Sequence, residues 1–195
     1  MTRSLSDDRP DEPADRTESG GDAVADAEPA AVTGGAVPDD PGRIKVGVGE
    51  LAVTSDDAVL TTSGLGSCVA VALVDQRAGV RGLLHAMLPA GEGRTKAISR
   101  PAKYVDTGID SLIGALDDAG ADPRRLEARV AGGAEMLDLT DAVGPRNVER
   151  VGEVLDAAGV PVVASDVGDA VGRTVRFGPD GRLVVRAADG FERAI

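Results

Sequence analysis

From Ile44 onward the chain is a series of short apolar runs separated by Gly, Asp and Pro. IKVGVGELAV and AVLTT read as short strands with the SDD turn between them. CVAVALV and GVRGLLHAML read as a second strand pair, joined through DQRA. The period then changes: Val105, Ile109, Leu112, Ile113 and Leu116 recur at helical spacing and stop at Gly120, a usual C-terminal breaker. LEARVA returns to a strand, and GGAEML turns the chain sharply. A second helix fits Asn147 to Ala158, with Val148, Val151, Val154 and Leu155 on one face and Gly159 at its end. PVVASD, RTVRF and RLVVRA follow as strands, the last two joined by GPDG. Strands and helices do not alternate strictly, so the pattern predicts an α/β or α+β domain with a mixed sheet and helices outside it.

Composition changes this picture at the N-terminus. Of 195 residues, positions 1–43 hold eleven acids against four arginines and five of the eleven prolines, with almost no large apolar side chains. Such a segment buries too little surface to offset its ordering entropy. Residues 1–43 are expected to form a disordered, solubilising acidic tail, and residues 44–195 the folded domain. With two Phe, one Tyr and no Trp, the core is built from Val, Leu, Ile and Ala.

A formal charge of −12 argues against a nucleic-acid binder, whose affinity rests on clustered Lys and Arg. Only three basic residues are Lys, the rest Arg, and with the acidity this suits a high-salt cytoplasm in which self-repulsion is screened. No apolar run approaches the roughly 20 residues of a membrane span, and the first residues lack the apolar stretch of a secretory signal. A soluble, cytoplasmic protein without membrane insertion is expected.

One Cys and one His rule out a disulfide framework and a Cys/His zinc finger, and they leave a single thiol–imidazole combination. Cys68 follows the small-residue loop Thr62-Ser63-Gly64-Leu65-Gly66-Ser67, where glycines let a substrate approach and the flanking backbone N–H groups can face an oxyanion. If the next hairpin turns about the Gln76–Arg77 link, position i faces position 153 − i, and Cys68 falls opposite His85. An imidazole beside a thiol can take its proton for attack on an acyl carbon. Thr62, at the end of the preceding strand, is a candidate to orient the ring through its hydroxyl or carbonyl. Taken singly, each has a plainer role: a small buried thiol, a core histidine, a strand threonine.

Other signals are weaker. Gly47 and Gly49 form a GxG without the rest of a dinucleotide fingerprint and read as a strand bulge. Gly132 and Gly133 read as tight packing after a strand, and Asp106, Asp110, Asp117 and Asp118 as a solvated helix face. No residue pattern calls for a metal or other cofactor.

The segments LTTSGLGSCVAVALVD and GLLHAMLP carry a resemblance to the CheD family, the chemoreceptor glutamine deamidases of bacterial and archaeal chemotaxis. The likeness continues through Lys103-Tyr104-Val105-Asp106-Thr107, Ala131 to Met136, Arg146-Asn147-Val148-Glu149 and Gly172-Arg173-Thr174-Val175, over about residues 44–187. It implies a Cys/His/Thr triad on Cys68, His85 and Thr62, in an α/β sandwich akin to deamidating toxins. The implied reaction is hydrolysis of selected Gln side chains on methyl-accepting chemotaxis receptors to Glu, with the phosphatase CheC as a partner. A mainly non-catalytic adaptor acting on CheC or receptors, or another thiol amidohydrolase such as a cysteine peptidase, are the alternatives. Departures from the family pattern lie at Gly108, Asp110 and Gly114 in the first helix and at Gly168-Asp169.

Overall fold

Two runs, Val69–Asp75 and Val80–Ala86, are buried at every position, so both faces of the ribbon they form must be covered. A computed structural model, which describes residues 38–40, 42–90, 100–135 and 142–195, shows what covers them. One face meets two helices and the other meets a second sheet.

The strands in chain order are β1 (Pro38–Asp40), β2 (Arg43–Lys45), β3 (Glu50–Thr54), β4 (Val59–Leu65), β5 (Val69–Asp75), β6 (Val80–Ala86), β7 (Glu127–Gly132), β8 (Val162–Val167), β9 (Arg173–Phe177), β10 (Leu183–Ala187) and β11 (Glu192–Ala194). The helices are α1 (Val105–Asp118), between β6 and β7, and α2 (Val143–Ala158), between β7 and β8. One sheet has the order β1-β2-β4-β9-β10-β11 and the other β3-β6-β5-β7-β8. Only β2/β4 and β7/β8 run parallel, so both sheets are mixed and the class is α+β.

Side-chain parity divides the interior. Val69, Val71, Leu73, Leu84 and Val130 face the helices and join Ile109, Leu112, Val151 and Leu155 in one apolar cluster. Ala70, Ala72, Leu83 and Ala131 point the other way, into a second cluster with Leu60, Val175, Phe177 and Leu183 of the facing sheet. The small residues on this side let the sheets approach closely.

The structure departs from the sequence-based expectations at several elements. IKVGVGELAV is not one strand: β2 and β3 belong to different sheets, and Gly47–Glu50 is a turn between them, not a bulge, with Gly49 at φ 72° and Glu50 N–H donating to Gly47 O. Likewise β3 and β4, on either side of SDD, part into different sheets, because β3 pairs with β6 and β4 with β9. The second helix starts at Val143, four residues before Asn147, and the short strand β11 is additional. The β5–β6 register pairs Ala70 with His85 and Asp75 with Val80, a sum of 155 where 153 was expected. The reason is the turn: Asp75 accepts from the N–H groups of Arg77 and Ala78, Gly79 N–H donates to Asp75 O, and the loop therefore spans Gln76 to Gly79. Arg125 on Asp75 holds that buried carboxyl well below the usual carboxylate range and fixes the turn.

The expected tail lies outside the described residues up to position 37, and the β1–β2 ladder begins at Pro38. Met136 and Leu137 of GGAEML are also outside them. Gly132 and Gly133 do serve packing: a Cβ on Gly132 would clash with Cys68 O, and one on Gly133 would clash with the side chain of Val148.

The two glycines of α1, Gly108 and Gly114, separate cleanly. A Cβ on Gly108 would press on Leu84 at 3.0 Å and on the backbone of Ala102 at 3.3 Å, so this glycine is what lets α1 lie close to β6. Gly114 has open space around it. Gly114→Ala is therefore expected to raise stability by about 0.5–1 kcal/mol in urea unfolding. Gly108→Ala, which meets crowding, is expected to give no gain.

Candidate active site

The strand β4 carries a glycine where its ladder slips. Ser63 pairs with Thr174 and Leu65 with Arg173, which leaves Gly64 as an extra residue at φ 75°. A Cβ there would touch nothing, so the demand for glycine is conformational. The bulge bends the chain out of one sheet, and Gly66-Ser67-Cys68 crosses to the start of β5 in the other. Gly66, Ser67 and Cys68 are all half-buried at this crossing.

Thr62 lies on β4 with the parity of Leu60, and His85 lies on β6 with the parity of Leu83. Both therefore point between the sheets, where a hydrogen bond of 2.7 Å joins Thr62 Oγ1 and His85 Nδ1. His85 is fully buried, and its other ring nitrogen, Nε2, has no hydrogen-bond partner. Cys68 packs against the same inter-sheet cluster. Ala70, directly opposite His85, is two residues from Cys68, so thiol and imidazole are diagonal neighbours on one face rather than a directly opposed pair. The two-residue error in the expected register keeps this face because side chains alternate with period two. Cys68 and His85 Nε2 are not hydrogen-bonded in this structure.

Burial sets the charge states. Desolvation pushes the His85 imidazolium down to about 4, so the ring is neutral at physiological pH. Burial also pushes the Cys68 thiol up, an effect that its own backbone N–H offsets in part. The resting combination is a neutral thiol with a neutral imidazole, not an ion pair.

This has a consequence for stability. An unfolded imidazole binds its proton near 6.5 and the folded one only near 4, so between those values the unfolded state holds more protons. The His85 contribution thus lowers stability as pH falls through that window, by about 3 kcal/mol at full titration. Urea unfolding of wild type and His85→Gln at a series of pH values is expected to show a steeper acid loss in the wild type. Parallel curves would remove the buried neutral ring from the account.

Three donors hold the crossing loop from behind. Ala134 N–H donates to Gly66 O and Gly133 N–H to Cys68 O, each at 2.8 Å. Asn147 Nδ2 donates to Ser67 O at 2.8 Å and to Met87 O at 3.1 Å. Asn147 is fully buried; in the sequence it stands only as the expected first residue of the second helix and within the Arg146-Asn147-Val148-Glu149 run. Its readable signal is position: it precedes Val151 and Leu155 at i, i+4, i+8, a polar residue on the apolar stripe. Gly168 and Asp169 are tied to the same region, because Gly168 N–H donates to Gly132 O and Glu135 N–H to Asp169 O. Asp169 takes φ 55°, the left-handed conformation in which glycine is commoner.

Comparison with known proteins is decisive for kinship. Residues 87–187 match the family described as CheD chemotactic sensory transduction. The chain is 46% identical over 153 residues to the probable chemoreceptor glutamine deamidase CheD of Haloarcula marismortui, covering 76% of this chain and 87% of that one. The chain belongs to the CheD family. Two further CheD relatives, named chemoreceptor glutamine deamidases, are those of Thermotoga maritima, 41% identical over 150 residues, and Halalkalibacterium halodurans, 39% identical over 159. The matched regions span 76% and 78% of this chain and 94% and 98% of the relatives. CheD kinship thus extends over nearly the full length of these relatives. Among the described residues no helix is long and apolar enough to cross a membrane.

Proposed function

We propose that this protein is a protein-glutamine deamidase that hydrolyses selected Gln side chains of methyl-accepting chemotaxis receptors to Glu, in the cytoplasm and without a cofactor. The observation that carries the reading is the free Nε2 of a buried, neutral His85 in the compartment that also holds the only thiol of the chain. The names of the relatives supply the substrate class.

In this reading Thr62 Oγ1 accepts from His85 Nδ1–H, which fixes the tautomer with its lone pair at Nε2. As Cys68 Sγ attacks the Gln side-chain carbon, its proton passes to Nε2. The oxyanion is held by backbone N–H groups of the Gly66–Cys68 loop. Nε2–H then protonates the departing nitrogen, ammonia leaves and a thioester remains. Neutral Nε2 next takes a proton from water, hydroxide adds to the thioester, and the Cys68 thiol is restored as Glu is released. The sum is Gln plus water giving Glu plus ammonia.

A raised thiol and a lowered imidazole mean that little thiolate stands ready at neutral pH. The nucleophile is generated as substrate closes over the site. Val48 and Met87, both exposed, flank the end of β6 beside His85, whose carbonyl accepts from Gly49 N–H. They offer an apolar rim to a folded protein surface, so free glutamine is a poor substrate. CheC, implied by the resemblance, is a partner that competes with the receptor for this rim.

Ammonia release tests the reading. A receptor cytoplasmic fragment is expected to yield ammonia in proportion to enzyme, and free glutamine essentially none. Binding of the fragment without any ammonia would replace the enzyme by an adaptor, and cleavage of the fragment's backbone would replace it by a peptidase.

A further inference from the structure

The β5–β6 ladder ends at the pair Val69 and Ala86, and the next rung, Cys68 with Met87, is not formed. Asn147 takes its place. One side-chain nitrogen donates to Ser67 O, next to the thiol residue, and to Met87 O, two residues beyond His85. With two carbonyls as acceptors the orientation of the amide is settled, since a flipped amide would set oxygen against oxygen.

The remaining half of the amide is costly. Asn147 Oδ1 is buried and accepts no hydrogen bond. A buried acceptor left unsatisfied is costly, and an apolar side chain of similar shape would avoid that cost. Asn147 is therefore not explained as filling between α2 and β5, and its donor is the part of the side chain that the site uses.

The use follows from peptide geometry. In a planar trans peptide the C=O and N–H of one unit point in opposite directions. Gly66 O and Ser67 O are both drawn toward the turn and helix behind the loop, so the N–H groups of Ser67 and Cys68 point forward. The Cys68 N–H approaches its own Sγ, on the nucleophile's side. Of the carbonyls at Gly66, Ser67 and Cys68, that of Ser67 is held by a side chain, while the other two are held by backbone N–H groups. Resting on the deamidase reading above, we propose that Asn147 is a positioning residue for the oxyanion site: it orients the Ser67–Cys68 peptide so that the Cys68 N–H meets the developing negative charge.

The role separates from a purely structural one because two reactions of Cys68 differ in their need for that N–H. Deamidation develops an oxyanion; alkylation by iodoacetamide, a displacement at a saturated carbon, does not. Asn147→Leu, which keeps the branched shape of the side chain and removes the donor, is expected to lower kcat on the receptor fragment by about 10²-fold. KM, and the alkylation rate at alkaline pH where the thiol is ionised in both proteins, are expected to stay within about twofold of wild type. Asn147→Ala serves the same comparison if the leucine variant does not fold. An unchanged kcat, or a fall in kcat matched by an equal fall in alkylation, would overturn the proposal. Failure of the deamidase reading itself is visible separately: wild-type protein would alkylate normally yet convert no glutamine, and the Asn147 role would fall with it.

Discussion

Replacing Cys68 by alanine is expected to lower glutamine hydrolysis by at least about 10⁴-fold, since the mechanism loses its nucleophile and every later step depends on the thioester. The side chain is small and only half-buried, and it closes no ladder, so the loss of one sulfur leaves the fold in place. The carbonyl bonds that shape the loop, from Ala134, Asn147 and Gly133, do not involve the side chain and persist in the variant. Receptor binding is accordingly retained while ammonia release ceases. The pairing of those two outcomes matters: a variant that neither binds nor turns over says nothing about the thiol, whereas one that binds and still turns over removes Cys68 from the chemistry.

The second large effect concerns His85. His85→Gln keeps a polar group of similar reach but cannot shuttle a proton, and kcat is expected to fall by about 10³-fold or more. Thr62→Val leaves the base in place and removes its orienting partner, so a smaller loss, of about 10-fold to 10²-fold, is expected. The pH profile distinguishes this site from an ordinary histidine-dependent one. Because burial holds the imidazolium near 4, the acid limb of kcat/KM should fall near that pH rather than near 6.5. On the alkaline side, alkylation of the free enzyme should keep rising beyond neutral pH, as the thiol is raised by burial. An alkylation rate that plateaus below neutral pH would instead indicate a preformed thiolate–imidazolium pair.

The sequence made the site more legible than the fold around it. Cys68 and His85 could be placed on one hairpin face because parity survives an error of two in register. The turn from Gln76 to Gly79 is set by the side chain of Asp75 and its anchor at Arg125, fifty residues away, which no local pattern reveals. The division of β3 and β4 between sheets is similarly non-local, since both are short apolar strands and only their partners differ. Strand β11, ERA, is exposed throughout and has no apolar signal at all. Asn147 lay in a recognised motif, yet its task depends on two carbonyls contributed by distant segments.

Cys68 of this CheD protein is expected to convert receptor glutamine to glutamate by hydrolysis. The most direct measurement is site-resolved mass spectrometry of a receptor cytoplasmic fragment incubated in ¹⁸O-labelled water with wild-type or Cys68→Ala protein. New glutamates at selected positions, each carrying one solvent oxygen, are expected with the wild type alone. Unchanged glutamines with both proteins, or equal conversion by both, would contradict this role of Cys68.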